Sequence, residues 1–168
     1  MNEIFSLLGK TVVDASCGFT GTVIQIMENF SGNTQIGIQP KVTEGTSSYP
    51  EAMFVDHHLV DVIDDGVSAR VTTVPNRFEL ALGELAEDTI NGFSGIATCR
   101  ATYLNGCEAF CLERKFDPSS ENKKTSEWVS TTRLKKVEAK SVPQNIPPVA
   151  NNGKVPGGPA IRVPRIQY

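Results

Sequence analysis

DASCGFTG (residues 14–21) returns seventy-four positions later as DTINGFSG (residues 88–95). Asp14 falls on Asp88, Gly18 on Gly92, Phe19 on Phe93 and Gly21 on Gly95. The residues between the two copies are diverse and rich in apolar and β-branched types, so the recurrence is architecture rather than low complexity. At the same offset Leu8-Gly9 falls on Leu82-Gly83, Gly32 on Gly106, Ile36 on Phe110, Ile38 on Leu112 and Phe54-Val55 on Trp128-Val129. One inserted residue then brings Leu59 onto Leu134 and Val62 onto Val137. The chain therefore contains a duplicated unit.

Each copy is written in short apolar and β-branched runs. In the first these are TVVD, TVIQIME, TQIGIQP, AMFV and LVDVI; in the second, ELAED, IATCRATY, CEAFCLER, EWV and LKKVE. Helical periodicity is confined to an ambiguous FELALGELAED between the copies. Five short strands with a tight turn between the two longest predict an all-β protein of two tandem SH3-like antiparallel barrels. The first spans residues 1–63, a linker 64–81, and the second 82–138. The linker's RVTTVP could add an edge strand ended by Pro75. Type I′ turns are expected at Asn105-Gly106 and its equivalent Ser31-Gly32. A two-residue turn at Asn105-Gly106 sets Cys99 opposite Leu112, whereas pairing Ile24 with Ile38 needs an odd-length turn. Residues 139–168 hold six of the ten prolines and read as an extended Pro/Gly-rich arm.

Of the 168 residues, 39% are hydrophobic and 21% charged, enough for cores. Two cores of this size are small, so the units should lean on each other or on a partner. A formal net charge of -3 argues against a nucleic-acid groove, which concentrates Lys and Arg; Arg133, Lys135 and Lys136 read as a solvated face. No signal peptide or apolar run of membrane-spanning length is visible, which predicts synthesis in a cytoplasm with reduced cysteines.

The chemistry-bearing residues lead away from catalysis. Asp14 and Asp88 read as caps of the turns that follow them. His57-His58 should sit in the turn before the fifth strand, and neighbours on a strand point to opposite faces, which argues against a shared metal. Cys99, Cys107 and Cys111 lack the knuckle spacing of a zinc site and read as buried thiols. No phosphate loop or nucleophile elbow is present. No catalytic residue, metal site or cofactor is expected. Phe19 and Phe93 either plug the ends of the barrels or stand out as partner anchors, and Trp128, matched by Phe54, is assigned to the core.

The pattern D-x-x-x-G-F-[ST]-G, with YLNGC further on in the second copy, resembles a small domain encoded in tailed-bacteriophage genomes. The second copy is the nearer match; the first has ENFSGN where the second has YLNGC. The resemblance implies a phage origin and a small β module, without a mechanism. The resulting expectation is a non-enzymatic virion protein, a capsid decoration or head-to-tail adaptor within a symmetric assembly. Phe19, Phe93, Ile161, Val163, Ile166 and Tyr168 would contact other virion proteins, capsid or connector, with no membrane or nucleic-acid partner. The alternative is a soluble protein that sequesters a small molecule such as a defence-signalling nucleotide, in a pocket at the junction of the units.

Overall fold

The computed structural model describes residues 3–42, 44–45, 50–71, 78–114 and 125–138. The extended arm, the last part of RVTTVP and the basic pair Lys123-Lys124 lie wholly or partly outside them. The described chain is all-β. Its strands are β1 (Thr11–Asp14), β2 (Thr20–Asn29), β3 (Thr34–Gln39), β4 (Met53–Asp56), β5 (Val60–Asp64), β6 (Leu85–Asp88), β7 (Ser94–Tyr103), β8 (Glu108–Glu113), β9 (Ser126–Ser130) and β10 (Leu134–Lys136). Every recorded pairing is antiparallel. In the first copy β1 pairs with β2, β2 with β3, β3 with β4, and β5 returns to pair with β1. The second repeats this with β6 to β10, the last strand returning to β6. The stretch FELALGELAED forms no helix: Phe78 to Gly83 is irregular and Leu85 onward is strand.

The duplication is closer than the sequence alignment suggests, because the inserted residue is not there. Asp14 lies opposite Val60 and Asp88 opposite Leu134, and Val12 opposite Val62 as Ala86 is opposite Lys136. The 3₁₀ turns His57–Leu59 and Thr131–Arg133 stand at the same offset. Leu59 is thus the counterpart of Arg133 and Val60 that of Leu134. The alignment slipped by one because Leu-on-Leu and Val-on-Val scored as likeness where the pleat puts Val60 and Leu134 in one place.

Two details correct the hairpin register. Asn29 donates its N–H to Asn33 and Tyr103 to Cys107, so each loop has three residues. Only Gly32 and Gly106 take positive φ there, 90° and 80°, and no other residue type does anywhere in the described chain. A type I′ turn needs two such residues, so these are three-residue loops closed by one left-handed glycine. In addition, each long strand carries a bulge, between Val23 and Gln25 and between Ala97 and Cys99. Cys99 therefore faces Cys111, and Leu112 faces Ala97; in the first copy the loop is odd, but Ile38 faces Val23 with Ile24 on the bulge.

The two cores are built from equivalent positions with volume traded between them. Val12, Val23, Ile36, Ile38 and Val55 in the first correspond to Ala86, Ala97, Phe110, Leu112 and Val129 in the second. Smaller residues on β6 and β7 make room for the larger Phe110 on β8, which keeps packing dense. Phe54 and Trp128 are not core. They alternate with the inward Val55 and Val129 and stand 44% and 47% exposed. The Phe54 ring lies over Gly37 of the neighbouring strand, where an aromatic shields bare backbone.

The units join through their longest strands. Gln25 to Asn29 of β2 pair with Tyr103 to Cys99 of β7, with Met27 opposite Ala101. Those two residues are themselves equivalents, so the pairing has an internal two-fold character. The flanking bonds repeat it: Phe30 N–H donates to the Thr98 carbonyl at 2.7 Å and Leu104 N–H to that of Ile24 at 2.8 Å. Thr98 and Ile24 are the bulge residues of their strands. The expected mutual support of two small cores takes this form.

The second glycine of each motif tolerates no side chain. A Cβ on Gly21 would lie 2.3 Å from the Gln39 carbonyl oxygen, and one on Gly95 2.7 Å from that of Glu113. Gly21→Ala should cost about 1–3 kcal/mol in urea unfolding through overpacking against backbone, and Gly95→Ala should fall in the same range.

Candidate functional site

The repeated motif builds the turn between the first two strands of each copy. Asp14 N–H donates to the Phe19 carbonyl and Gly18 N–H to the Asp14 carbonyl, at 2.8 and 2.7 Å; Asp88, Phe93 and Gly92 do the same at 2.8 and 2.9 Å. The first glycine takes a left-handed φ, 74° at Gly18 and 72° at Gly92, which a side chain would strain. Both aspartates are buried caps, as the sequence predicts. Asp14 accepts from the Ser16 hydroxyl at 2.6 Å and the Ser16 N–H at 2.7 Å. Asp88 accepts from the Ile90 N–H at 2.9 Å and from Arg133, whose guanidinium meets both carboxylate oxygens.

Arg133 was invisible as a partner so long as the alignment placed it on a different residue. It arrives from the 3₁₀ turn before β10, where the first copy has Leu59. The Ser16 hydroxyl and N–H, with the thiol and N–H of Cys17, hold the Asp14 carboxyl below the usual range against an opposing push from burial. Burial pushes Asp88 upward, but the Ile90 and Asn91 N–H groups and the hydrogen bonds and charge of Arg133 outweigh it, leaving that carboxyl lowered too.

The two phenylalanines divide between the roles considered for them. Phe93 is 6% exposed and sits in the second core, with the Arg114 guanidinium 4.9 Å from its ring centroid. It is a plug and not an exposed anchor. Phe19 is half-buried against the first core. Ile161, Val163, Ile166 and Tyr168 lie outside the described residues.

A larger apolar surface sits on a run, LVDVI, that reads from its composition as an interior strand. Leu59, Val62, Ile63 and Val67 are 48%, 48%, 53% and 36% exposed. Val62 and Ile63 are neighbours on a strand and point to opposite faces, so among the described residues neither face of β5 is covered. Among the described residues, β5 has no strand beside it beyond its ladder with β1. The equivalent edge is charged: Arg133, Lys135 and Lys136 occupy the places of Leu59, Asp61 and Val62. Lys136 is tied to Glu84 at 2.8 Å.

A shallow depression of about 490 Å³ opens at the junction of the units, lined by Ile24, Val67, Arg70, Tyr103, Leu104 and Asn105. Neither motif phenylalanine lines it. Of the cysteines only Cys99 and Cys111 meet, half-buried and buried on facing strands, while Cys17 and Cys107 are exposed. Burial pushes the Cys99 and Cys111 thiols up, away from the reactive thiolate. Cys107 precedes β8 and shares no buried face with Cys111. His57 and His58 do sit in the turn before β5, but because it is a 3₁₀ turn their rings lie together, with centroids 3.7 Å apart.

Comparison with protein-family models, curated proteins and solved structures found no match to this chain.

Stability should report the two buried carboxylates. A carboxyl whose folded pKa is depressed adds stability above its unfolded value, about 4 for Asp, and that stability is lost as pH falls through the folded value. Melting temperature should therefore decline below about pH 4, and less steeply in Asp88→Asn. Arg133→Met, which leaves a buried carboxylate without its cation, should lower the melting temperature more at neutral pH than in acid, where the carboxyl takes a proton.

Proposed function

We propose that this chain is a non-enzymatic structural protein of a bacteriophage particle, a decoration or adaptor protein made of two SH3-like barrels and an extended arm. The barrel reading is supported by the return of the last strand to the first in each copy, the 3₁₀ turn before that last strand, and the bulged second strand that pairs on both edges. The proposed units are those of the sequence, 1–63 and 82–138 with the arm at 139–168, although Asp64 ends β5 and Leu80 packs into the second core. The phage origin rests on the motif resemblance.

The observation that carries the binding role is the asymmetry between the two edges. Proteins blunt an exposed strand edge with charge, above all lysine, because an apolar edge recruits other chains. The β10 edge is blunted in this way, whereas β5 presents Val62 and Ile63 between Asp61 and Asp64, with Leu59 exposed in the turn before it. A patch of that kind marks an interaction surface. The partner is another virion protein that covers β5, with residues 139–168 lying along a neighbour.

In a density gradient of a lysate from the source infection, the protein should travel with intact particles. Val62→Lys with Ile63→Lys should leave unfolding within about 0.5 kcal/mol, as exposed substitutions do, and remove most of the particle-bound fraction. Deleting residues 139–168 should do the same. Recovery of the native protein only in light soluble fractions would overturn the reading.

The junction depression favours a second reading, the sequestering of a small anionic ligand by Arg70 with Tyr103 as a stacking surface. A stoichiometric thermal shift with one member of a nucleotide panel, lost in Tyr103→Ala, would support it. A flat response across the panel would exclude nucleotides.

A further inference from the structure

One cluster of metal-binding groups among the described residues belongs to neither reading: Asp56, His57 and His58, at the end of β4 and in the 3₁₀ turn that follows. Each offers one ligand atom, and the three atoms lie within 4.8 Å of one another. The objection that adjacent histidines diverge holds on a strand, where neighbours are half a turn apart. In a 3₁₀ turn they are about a third of a turn apart, and here the two rings lie against each other, tilted by 41°.

The orientation of His57 is that of a ligand. Its Nδ1 lies 3.0 Å from the Thr34 carbonyl oxygen, which can only accept, so Nδ1 carries the proton and Nε2 keeps its lone pair. Metal-binding histidines hold their second nitrogen in this way, the outer hydrogen bond fixing tautomer and ring plane. Thr34 opens β3, so the bond anchors the ring to the neighbouring strand. Asp56 is held too, since its Oδ1 accepts the His58 N–H at 3.1 Å and lies 3.5 Å from the His57 Nδ1, which leaves Oδ2 for a cation. His58 is exposed and free to swing inward.

We propose that Asp56, His57 and His58 form a binding site for a divalent zinc-class cation, with solvent in the remaining position. Two imidazoles and a carboxylate suit Zn²⁺ and discriminate against Mg²⁺ and Ca²⁺, which prefer oxygen cages. Bonds of about 2.1 Å set tetrahedral ligands roughly 3.4 Å apart, a closure from within 4.8 Å that rotation of the exposed His58 supplies while the half-buried Asp56 and His57 hold their places. The second copy is an internal control. Its equivalents are Ser130, Thr131 and Thr132, where Ser130 and Thr132 hydroxyls bond to each other at 3.1 Å.

The test is calorimetric titration of the full chain with zinc chloride, with cobalt chloride absorption as a second readout. One saturable site is expected, with cobalt bands free of thiolate charge transfer. His58→Ala, at an exposed position, should weaken binding by more than the tenfold or so that losing an outer partner costs. Asp56→Asn should weaken it as well, and circular dichroism should show both variants folded. Absence of saturable binding up to about a thousandfold above micromolar affinity, an unchanged affinity in His58→Ala, or a thiolate band pointing to the cysteines would each overturn the proposal.

Discussion

The ladder between β2 and β7 is the constraint on which the rest depends. A sixty-residue β unit buries a modest share of its surface, and each unit here has a core of a few aliphatic side chains around one or two aromatics. Pairing the longest strand of one with the longest of the other removes two open edges at once and fuses both curled sheets into one hydrogen-bonded body. Because Met27 faces its own counterpart Ala101, the contact is of the self-complementary type that a symmetric dimer uses. The duplicated chain holds the two halves of such a dimer at fixed stoichiometry.

Within each half the D-x-x-x-G-F-[ST]-G motif divides its labour among four side-chain positions. The aspartate closes the turn, the first glycine takes the left-handed backbone, the phenylalanine fills the end of the core, and the second glycine lets β2 or β7 pass against the neighbouring strand. The buried carboxylate is the costly part, and the copies meet that cost differently. Asp14 relies on local donors from Ser16, while Asp88 draws Arg133 from forty-five residues away. Once Arg133 serves this purpose it also polarises the start of the β10 edge, so a choice made for a turn shapes a surface.

Much of this was legible in the sequence, for physical reasons. Strand runs such as TVIQIME and TQIGIQP alternate against a core and announce themselves, and their observed bounds differ by a residue or two. The bulges at Ile24 and Thr98 left no trace, because an extra residue in a β-branched run changes neither composition nor apolar count. Trp128 was misplaced because size and hydrophobicity argue for burial while the pleat assigns its face, and Val129 already had the inward one. The apolar edge of β5 was hidden for a similar reason: LVDVI reads as an interior strand, and only topology reveals that no further strand lies beside it. The Asp56-His57-His58 cluster needed the 3₁₀ turn, whose three residues carry no sequence signature of their own.

The opposite character of β5 and β10 acquires another meaning in the light of the two-fold ladder. A true homodimer of the first unit would carry an apolar edge at both extremities, and such a particle can add copies at either end without limit. Fusing the halves allowed the extremities to diverge, one keeping its adhesive strand and the other turning cationic. A chain with unlike outer edges lacks the second matching edge that such end-to-end growth needs.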